Sequence, residues 1–384
     1  MNFLSRNTWV EIDLDRLGRN IAALREYVGQ GVRIAPVIKG DAYGHGAVVI
    51  ARVLERMDVE YIAVAILTEA IELRNHGIRC PLLVMGYTEN EHLRWAVEND
   101  ITLSIFQYEQ AEILSREAAA LHKTAHAHIK VDTGLHRLGK EPTEDFADEI
   151  AGMSRLPHLS LDGIFSHLRL ASSEGDHEQF ESLSAFINRL KEKGVQFRLA
   201  HISDSIAAVK YREFAMDMIR PGAIIYGYTP PYQAGRIAVE PIMTFKTRVV
   251  CLHHLKEGDG VGYDEEFKAG DNMVVATLAA GYADGYTRFL SRGGEVMIRG
   301  KRAKVVGIVC MDQMMVDVTH IPETCAGDEA VLWGPVPGAP GVLEMAALLK
   351  TNKNCIIAGV SRRVPRVYIK GGAVVEIADY LTNR

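Results

Sequence analysis

The feature that most constrains this chain is an alternation that repeats from residue 33 to residue 219. Short β-branched runs at 33–38, 61–66, 81–85, 101–106, 125–131, 159–165, 197–202 and 214–219 are separated by helical patterns. Most of these runs are apolar with little alternation, as strands buried on both faces must be. Segments 88–99, 109–121 and 177–193 between them, and 13–28 ahead of them, place apolar residues at helical spacing. Eight such units fit one closed parallel barrel, an α/β fold of the (β/α)8 TIM type, better than an open doubly wound sheet, the runner-up. Two segments qualify as the last strand, FAMDMI at 214–219 and AIIYG at 223–227. The first is chosen, because it puts Arg220, Pro221 and Gly222 at a strand's C-terminal end, where barrel chemistry sits.

From about residue 241 the pattern changes. Runs at 243–255, 272–278, 294–298, 303–309, 314–318, 329–332 and 364–369 read as strands between Gly-rich turns, and only 342–350 looks plainly helical. The expected organisation is a barrel over 8–240 and a mostly-β domain over 241–384, joined by 1–7. The short segments 2–7 and 9–12 precede the first barrel helix and are candidates to pair with the β domain, although the boundary is drawn at residue 8.

With 384 residues, 48% of them apolar, the chain can bury one large core and a smaller one. Its net charge is −6 and it has no long basic run, so neither nucleic acid nor an anionic membrane is an expected partner. A small anionic ligand needs only a few local donors and stays open. No apolar run approaches the ~18 residues that a membrane span needs, and the opening MNFLSRNTWVEIDLDR has no signal-like stretch. The five cysteines are scattered and form no CxxC pair. That points to reduced thiols in the cytoplasm, with neither a disulfide framework nor a bound metal.

Several strings carry chemistry. APVIKGDAYGHG (35–46) places Lys39 directly after a buried strand. Desolvation there lowers a lysine from ~10.4 and favours the neutral amine that attacks an aldehyde. Lys39 alone reads equally as a mouth lysine paired with Asp41. HIKVDTGLHRLG (128–139) follows the fifth strand; by themselves Lys130, Asp132 and Arg137 describe a strand-end ion cluster. HISDS (201–205) and RPGA (220–223) follow strands seven and eight, where barrels commonly build phosphate cradles from backbone N–H groups. His167 follows strand six, where by itself it would be a satisfied histidine at a strand end. In the β domain, GVGYD (260–264) alone would be a turn with a packed aromatic.

Together with GYADGY (281–286) and CMDQMMVD (310–317), these strings run in order over essentially the whole chain. The set resembles the signatures of alanine racemases, a fold-type III pyridoxal-phosphate family. The resemblance implies a racemase that interconverts L- and D-alanine with pyridoxal 5'-phosphate and supplies D-alanine for peptidoglycan. It implies that Lys39 carries the cofactor covalently and is one of two catalytic bases, Tyr263 being the other. The tyrosine would face the α-hydrogen of the L-isomer and the lysine that of the D-isomer. Tyr43, Ser205 and the amides of Gly222 and Ala223 would hold the phosphate. Arg220, oriented by His167, would meet the pyridine nitrogen. Arg137 would bond the phenolic oxygen and approach the substrate carboxylate, which the Met311 amide also contacts, and Tyr282 would line the entrance. Lys130 matches a lysine that is carbamylated in many members. A homodimer with shared active sites is implied, since family sites use the partner's β domain.

Two departures stand out. SRRVPR (361–366) puts Arg362 where many members have a tyrosine. This is either a variant phosphate contact or a change of selectivity towards serine or a larger or basic amino acid. LRLASSE (168–174) replaces a commoner Phe-Ala-x-Ala-Asp. Related decarboxylases are disfavoured, because they carry the barrel after the N-terminal part of the β domain. Non-catalytic cofactor-binding proteins built as a single barrel would leave the β domain without a role.

Overall fold

The computed structural model describes residues 6–57 and 59–382. Two compact units divide the chain. One comprises the residues up to Arg19, Tyr43–Gly46 and Glu240–Arg384; the other comprises Asn20–Ala42 and Ala47–Val239.

The second unit is a closed parallel barrel. Its strands are β2 (Arg33–Ile34), β3 (Ile62–Val64), β4 (Leu82–Val84), β5 (Ile101–Ile105), β6 (Ala125–Lys130), β7 (Leu159–Phe165), β8 (Leu199–His201) and β9 (Met218–Ile219). β3 to β8 form one six-stranded parallel sheet, and β2 pairs with β9. The parallel bridges Val37↔Ala63 and Asp204↔Arg220 join the two sheets and close the ring. Met218–Ile219 is the last strand, within FAMDMI. Ile62, Val64, Leu82, Val84 and Ile129 are fully buried. Each such side chain contributes about 1.5–3 kcal/mol, which explains why uniformly apolar runs became strands. The helices between them start on side-chain caps where the sequence offers one: Thr143 accepts from the Phe146 amide, and Ser172 from that of Gly175.

The first unit is mostly β, preceded in the chain by β1 (Trp9–Asp13). Its other strands are β10 (Met243–Leu255), β11 (Gly260–Val261), β12 (Phe267–Lys268), β13 (Met273–Leu278), β14 (Glu295–Ile298), β15 (Lys301–Val306), β16 (Met314–Asp317), β17 (Glu329–Trp333), β18 (Arg366–Lys370) and β19 (Ala373–Ala378). The nine-stranded sheet runs β13-β16-β15-β14-β17-β10-β1-β18-β19, and an extra β10–β13 pairing closes its first six strands into a ring. The 13-residue β10 can serve both sides because its register shifts between Val249 and Cys251.

Here the structure differs from expectation. β1 pairs antiparallel with β10 and parallel with β18, so Trp9–Asp13 belongs to the β unit and not to a barrel beginning at residue 8. Residues 2–5 of the expected 2–7 segment lie outside the described residues. The β11–β12 hairpin, β19 and a second helix at Lys353–Ile357 were not foreseen.

Candidate functional site

The C-terminal ends of the barrel strands gather basic groups. Lys39 follows β2, Lys130 ends β6, Arg137 lies on the loop after it, and Arg220 follows β9. Burial lowers the Lys39 pKa and the Arg137 charge lowers it further, although water still reaches the side chain. Lys130 is buried, donates to the Val131 carbonyl at 2.6 Å and lies 5.3 Å from the centre of the Phe165 ring. Desolvation, and then the Arg220 charge, push it down to about 7. Arg220 is buried too. Desolvation lowers it to about 10, and Arg137 adds to the fall. Asp132 is the nearby counter-charge. Burial would raise its pKa, but the Gly134 and His136 amides outweigh this, and Oδ1 also accepts from Leu135.

Arg220 is held from several sides. Its guanidinium donates to the Ser166 and Ile202 carbonyls at 2.8 and 3.0 Å, to His167 Nδ1 at 3.3 Å and to His201 Nδ1 at 2.5 Å. An arginine can only donate, so His201 carries its proton on Nε2, which faces His128 Nδ1 at 2.9 Å. The His128 proton is then on Nε2, which has no partner among the described residues. Burial holds all three histidines neutral, with His167 at about 2 and His128 at about 3. The sequence reading used His167 alone. Two histidines inside apolar strands were the signal for His128 and His201.

Beside them lies a small cradle. Asp204 caps the Ser205–Lys210 helix, accepting from the Ile206 and Ala207 amides. Ser205 Oγ accepts from the Gly222 amide at 2.8 Å, leaving its own hydroxyl hydrogen free to donate. The buried Ala223 amide has no protein acceptor among the described residues. Buried backbone donors are rarely left so. A hydroxyl, an orphan amide and neighbouring cations form a donor set that fits a phosphate.

The chain after Lys39 is unusual. Gly40, Asp41, Ala42 and Tyr43 have φ of 62°, 54°, 53° and 53°, a complete left-handed turn. Left-handed helix costs about 1–2 kcal/mol for each non-glycine residue. Glu69 accepts from the Gly40 amide at 2.6 Å and Asp41 from that of Ala47 at 2.8 Å, fixing the turn locally. Tyr43, half-buried, ends it.

The β unit presents a different surface. A cleft of about 890 Å³ is lined by Tyr263, Tyr282, Met311, Arg288 and Cys310 among others. Tyr263, Tyr282 and Met311 are 65, 40 and 52% exposed. Tyr263 follows Gly262, whose φ of 79° lies in the region that favours glycine. The Tyr282 and Ala283 amides donate to the Cys310 and Met311 carbonyls at 3.0 Å each. A Cβ on Gly281 would lie 2.3 Å from the Cys310 oxygen, so only glycine allows this approach. Arg362 is exposed, its guanidinium 4.9 Å from the Tyr380 ring centre. The expected residues thus fall into two sets: the barrel mouth holds Lys39, Lys130, Arg137, His167, Ser205, Arg220, Gly222 and Ala223, while the β unit holds Tyr43, Tyr263, Tyr282, Met311 and Arg362.

Comparison with known proteins bears on both sets. A family model described as alanine racemase, N-terminal domain, matches residues 12–230, and one described as alanine racemase, C-terminal domain, matches residues 242–368. Alanine racemase 1 of Clostridium acetobutylicum is 38% identical over 382 residues, 98% of this chain and 99% of that protein. Among solved structures, an alanine racemase of Clostridium difficile superposes with a TM-score of 0.95 at 34% identity, covering 98% of this chain and 100% of that one. The Bacillus anthracis alanine racemase with bound L-Ala-P gives 0.93 at 31%, covering 99% and 100%.

Proposed function

The chain belongs to the alanine racemase family, and from that premise we propose that it racemises alanine with pyridoxal 5'-phosphate, using Lys39 and Tyr263 as its two bases. It is an isomerase. The observation that carries the cofactor reading is the crowd of cations at the barrel mouth. Burial lowers Lys39, Lys130 and Arg220, and a neighbouring cation lowers each further, which leaves a mutual repulsion at the mouth. A phosphate and a substrate carboxylate would relieve it.

Lys39 would carry the cofactor. Ser205 with the Ala223 amide would hold its phosphate, joined by Tyr43 and by Arg362; the Gly222 amide, expected to share in this, donates to Ser205 Oγ and acts through that hydroxyl. When bound, the cofactor supplies an aldehyde for amines and a ring that delocalises charge left on Cα. Arg220, oriented by His167, would keep the ring nitrogen unprotonated, because a guanidinium has no proton to lose near neutrality. That weakens charge withdrawal and limits side reactions. Arg137 and the Met311 amide would orient the substrate carboxylate, with Tyr282 at the entrance. Lys39, its amine made more neutral by burial, accepts or returns a proton on one face of Cα, and Tyr263 does so on the other. Lys130, at about 7, is substantially neutral near pH 7, the form that adds carbon dioxide; as a carbamate it would turn from cation to anion beside Arg137.

The two sets lie on different units, and the family precedent supports a homodimer in which each barrel mouth is completed by the partner subunit's Tyr263. Mixed Lys39→Ala and Tyr263→Phe subunits should then regain activity, since one of the two sites in each heterodimer carries neither defect. Verified subunit exchange without recovery would rule out the shared site. Among the described residues no helix is long and apolar enough to cross a membrane. The reading places the enzyme in the cytoplasm, supplying D-alanine for peptidoglycan. A racemisation assay over the nineteen chiral standard L-amino acids tests the activity. Alanine should lead; preference for serine or a basic amino acid would assign Arg362 a selectivity role.

A further inference from the structure

The string 361–368 reaches two functional turns of the β unit at once. Arg363 Nε donates to Asp284 Oδ1 at 2.7 Å, and its Nη2 donates to Asp312 Oδ1 at 2.6 Å. Asp284 is fully buried and belongs to the turn that begins at Tyr282; Asp312 directly follows Met311. The Ser361 amide also donates to the Asp284 carbonyl at 3.1 Å. One guanidinium therefore bridges the two turns that display Tyr282 and Met311.

At its other end the same string holds the turn that starts at Tyr43. Arg366 is fully buried, and its Nε donates to the Gly44 carbonyl at 3.2 Å. The Tyr368 hydroxyl donates to the His45 carbonyl at 2.9 Å. A Cβ on Gly46 would lie 1.9 Å from that hydroxyl oxygen, so the two segments are in close contact. Tyr43, Gly44 and Gly46 all have positive φ. Backbone in that region persists when its surroundings over-determine it, and these bonds do so across more than three hundred residues of sequence.

We propose that the string 361–368 is a two-ended clamp: Arg363 positions Tyr282 and Met311 for the substrate, and Arg366 with Tyr368 positions Tyr43 for the cofactor phosphate. This rests on the functional reading above. None of the three is a catalytic residue; each acts through the group it holds. The two ends should therefore separate in experiment. Arg363→Met should raise KM for alanine about tenfold, with kcat and the rate of cofactor loss changed less than twofold. Arg363→Lys, which keeps the charge but cannot fork between two carboxylates, should recover part of the loss. Tyr368→Phe should speed cofactor loss severalfold, read as the decay of borohydride-trappable cofactor after dilution, with KM for alanine within twofold.

Should Arg363→Met fail to fold, Asp312→Asn cuts only the exposed arm of the bridge and carries the same KM test. Parallel changes in KM and cofactor retention in both variants, or no change in either, would overturn the clamp. Wild-type protein that neither takes up pyridoxal phosphate nor racemises alanine would instead overturn the functional reading, and the clamp with it.

Discussion

The barrel mouth and the β-unit cleft treat charge in opposite ways. At the mouth, Lys130 and Arg220 are buried and have their pKa values lowered, mainly by desolvation, with Arg220 adding to the fall of Lys130 and Arg137 to that of Arg220. In the β unit the buried charge is already paired. Burial would raise the Asp284 pKa, but bonds from Arg363 and Arg6 hold it down, and Arg363 is raised in return. The β-unit cleft exposes Tyr263, Tyr282 and Met311, with Arg288 in its lining. On the proposed function, the mouth receives the anions and the β unit supplies the second base. A buried pair gives weak net stability but a defined geometry, which suits a surface that presents a base.

The largest expected effect falls on the mouth. Lys39→Ala removes the cofactor anchor and one base together, so racemisation should vanish and borohydride should trap no cofactor on the chain. A trapped adduct in this variant would move the anchor to another lysine. Stripping the cofactor from wild-type protein should come next in size. Re-adding it at one hundred times its Kd should restore about 2.7 kcal/mol of stability. Hydrogen exchange should slow around 220–223, with little change at Asp284; equal protection in both regions would contradict this difference between them.

Acid should act on the other region. The folded Asp284 pKa is depressed, so its contribution is present above the ordinary carboxylate value of ~3.9 and is lost as pH falls through the folded value. Below about pH 4 the Tyr282 turn should loosen before the barrel strands do, and exchange protection measured along an acid series checks the order. The smallest effect concerns His126, which pairs with Asp162 at 2.7 Å. The hydrogen bond to Asp162 raises its pKa, so this pair stabilises below ~6.5 and the gain fades as pH rises through the folded value. The ring is 46% exposed; discounted for solvent screening, His126→Asn should cost no more than about 0.5 kcal/mol at pH 6.

The barrel strands were legible mainly because most are buried on both faces and leave apolar runs, and because β6 (AHAHIK) and β7 (LSLDGIF), which are not uniformly apolar, fall in the same strand–helix alternation. β11 and β12 have two residues each, too few for any period to show. β19 is an exposed edge, and nothing in AVVEIA says that β18 receives it. The partners of β1 could not be settled from five residues, since pairing with β10 and β18 depends on chain more than two hundred residues away. In the site, Lys39 and Arg220 were legible from their places after strands. The left-handed turn was not, because Asp41, Ala42 and Tyr43 all disfavour it locally and only Gly40 and Gly44 hint at it. The SRRVPR string was read for Arg362 alone. The bonds of Arg363 and Arg366 reach Asp284, Asp312 and Gly44, which no local pattern connects.

The central claim is that the mouth and the cleft supply one base each, on opposite faces of the same carbon. Cα hydrogen exchange in heavy water, followed separately from L- and D-alanine in Tyr263→Phe, tests it most directly. Exchange from L-alanine should fall by at least ~10²-fold, the usual contribution of a positioned base, while exchange from D-alanine continues through Lys39. Equal loss from both enantiomers, with the cofactor still bound, would contradict the assignment.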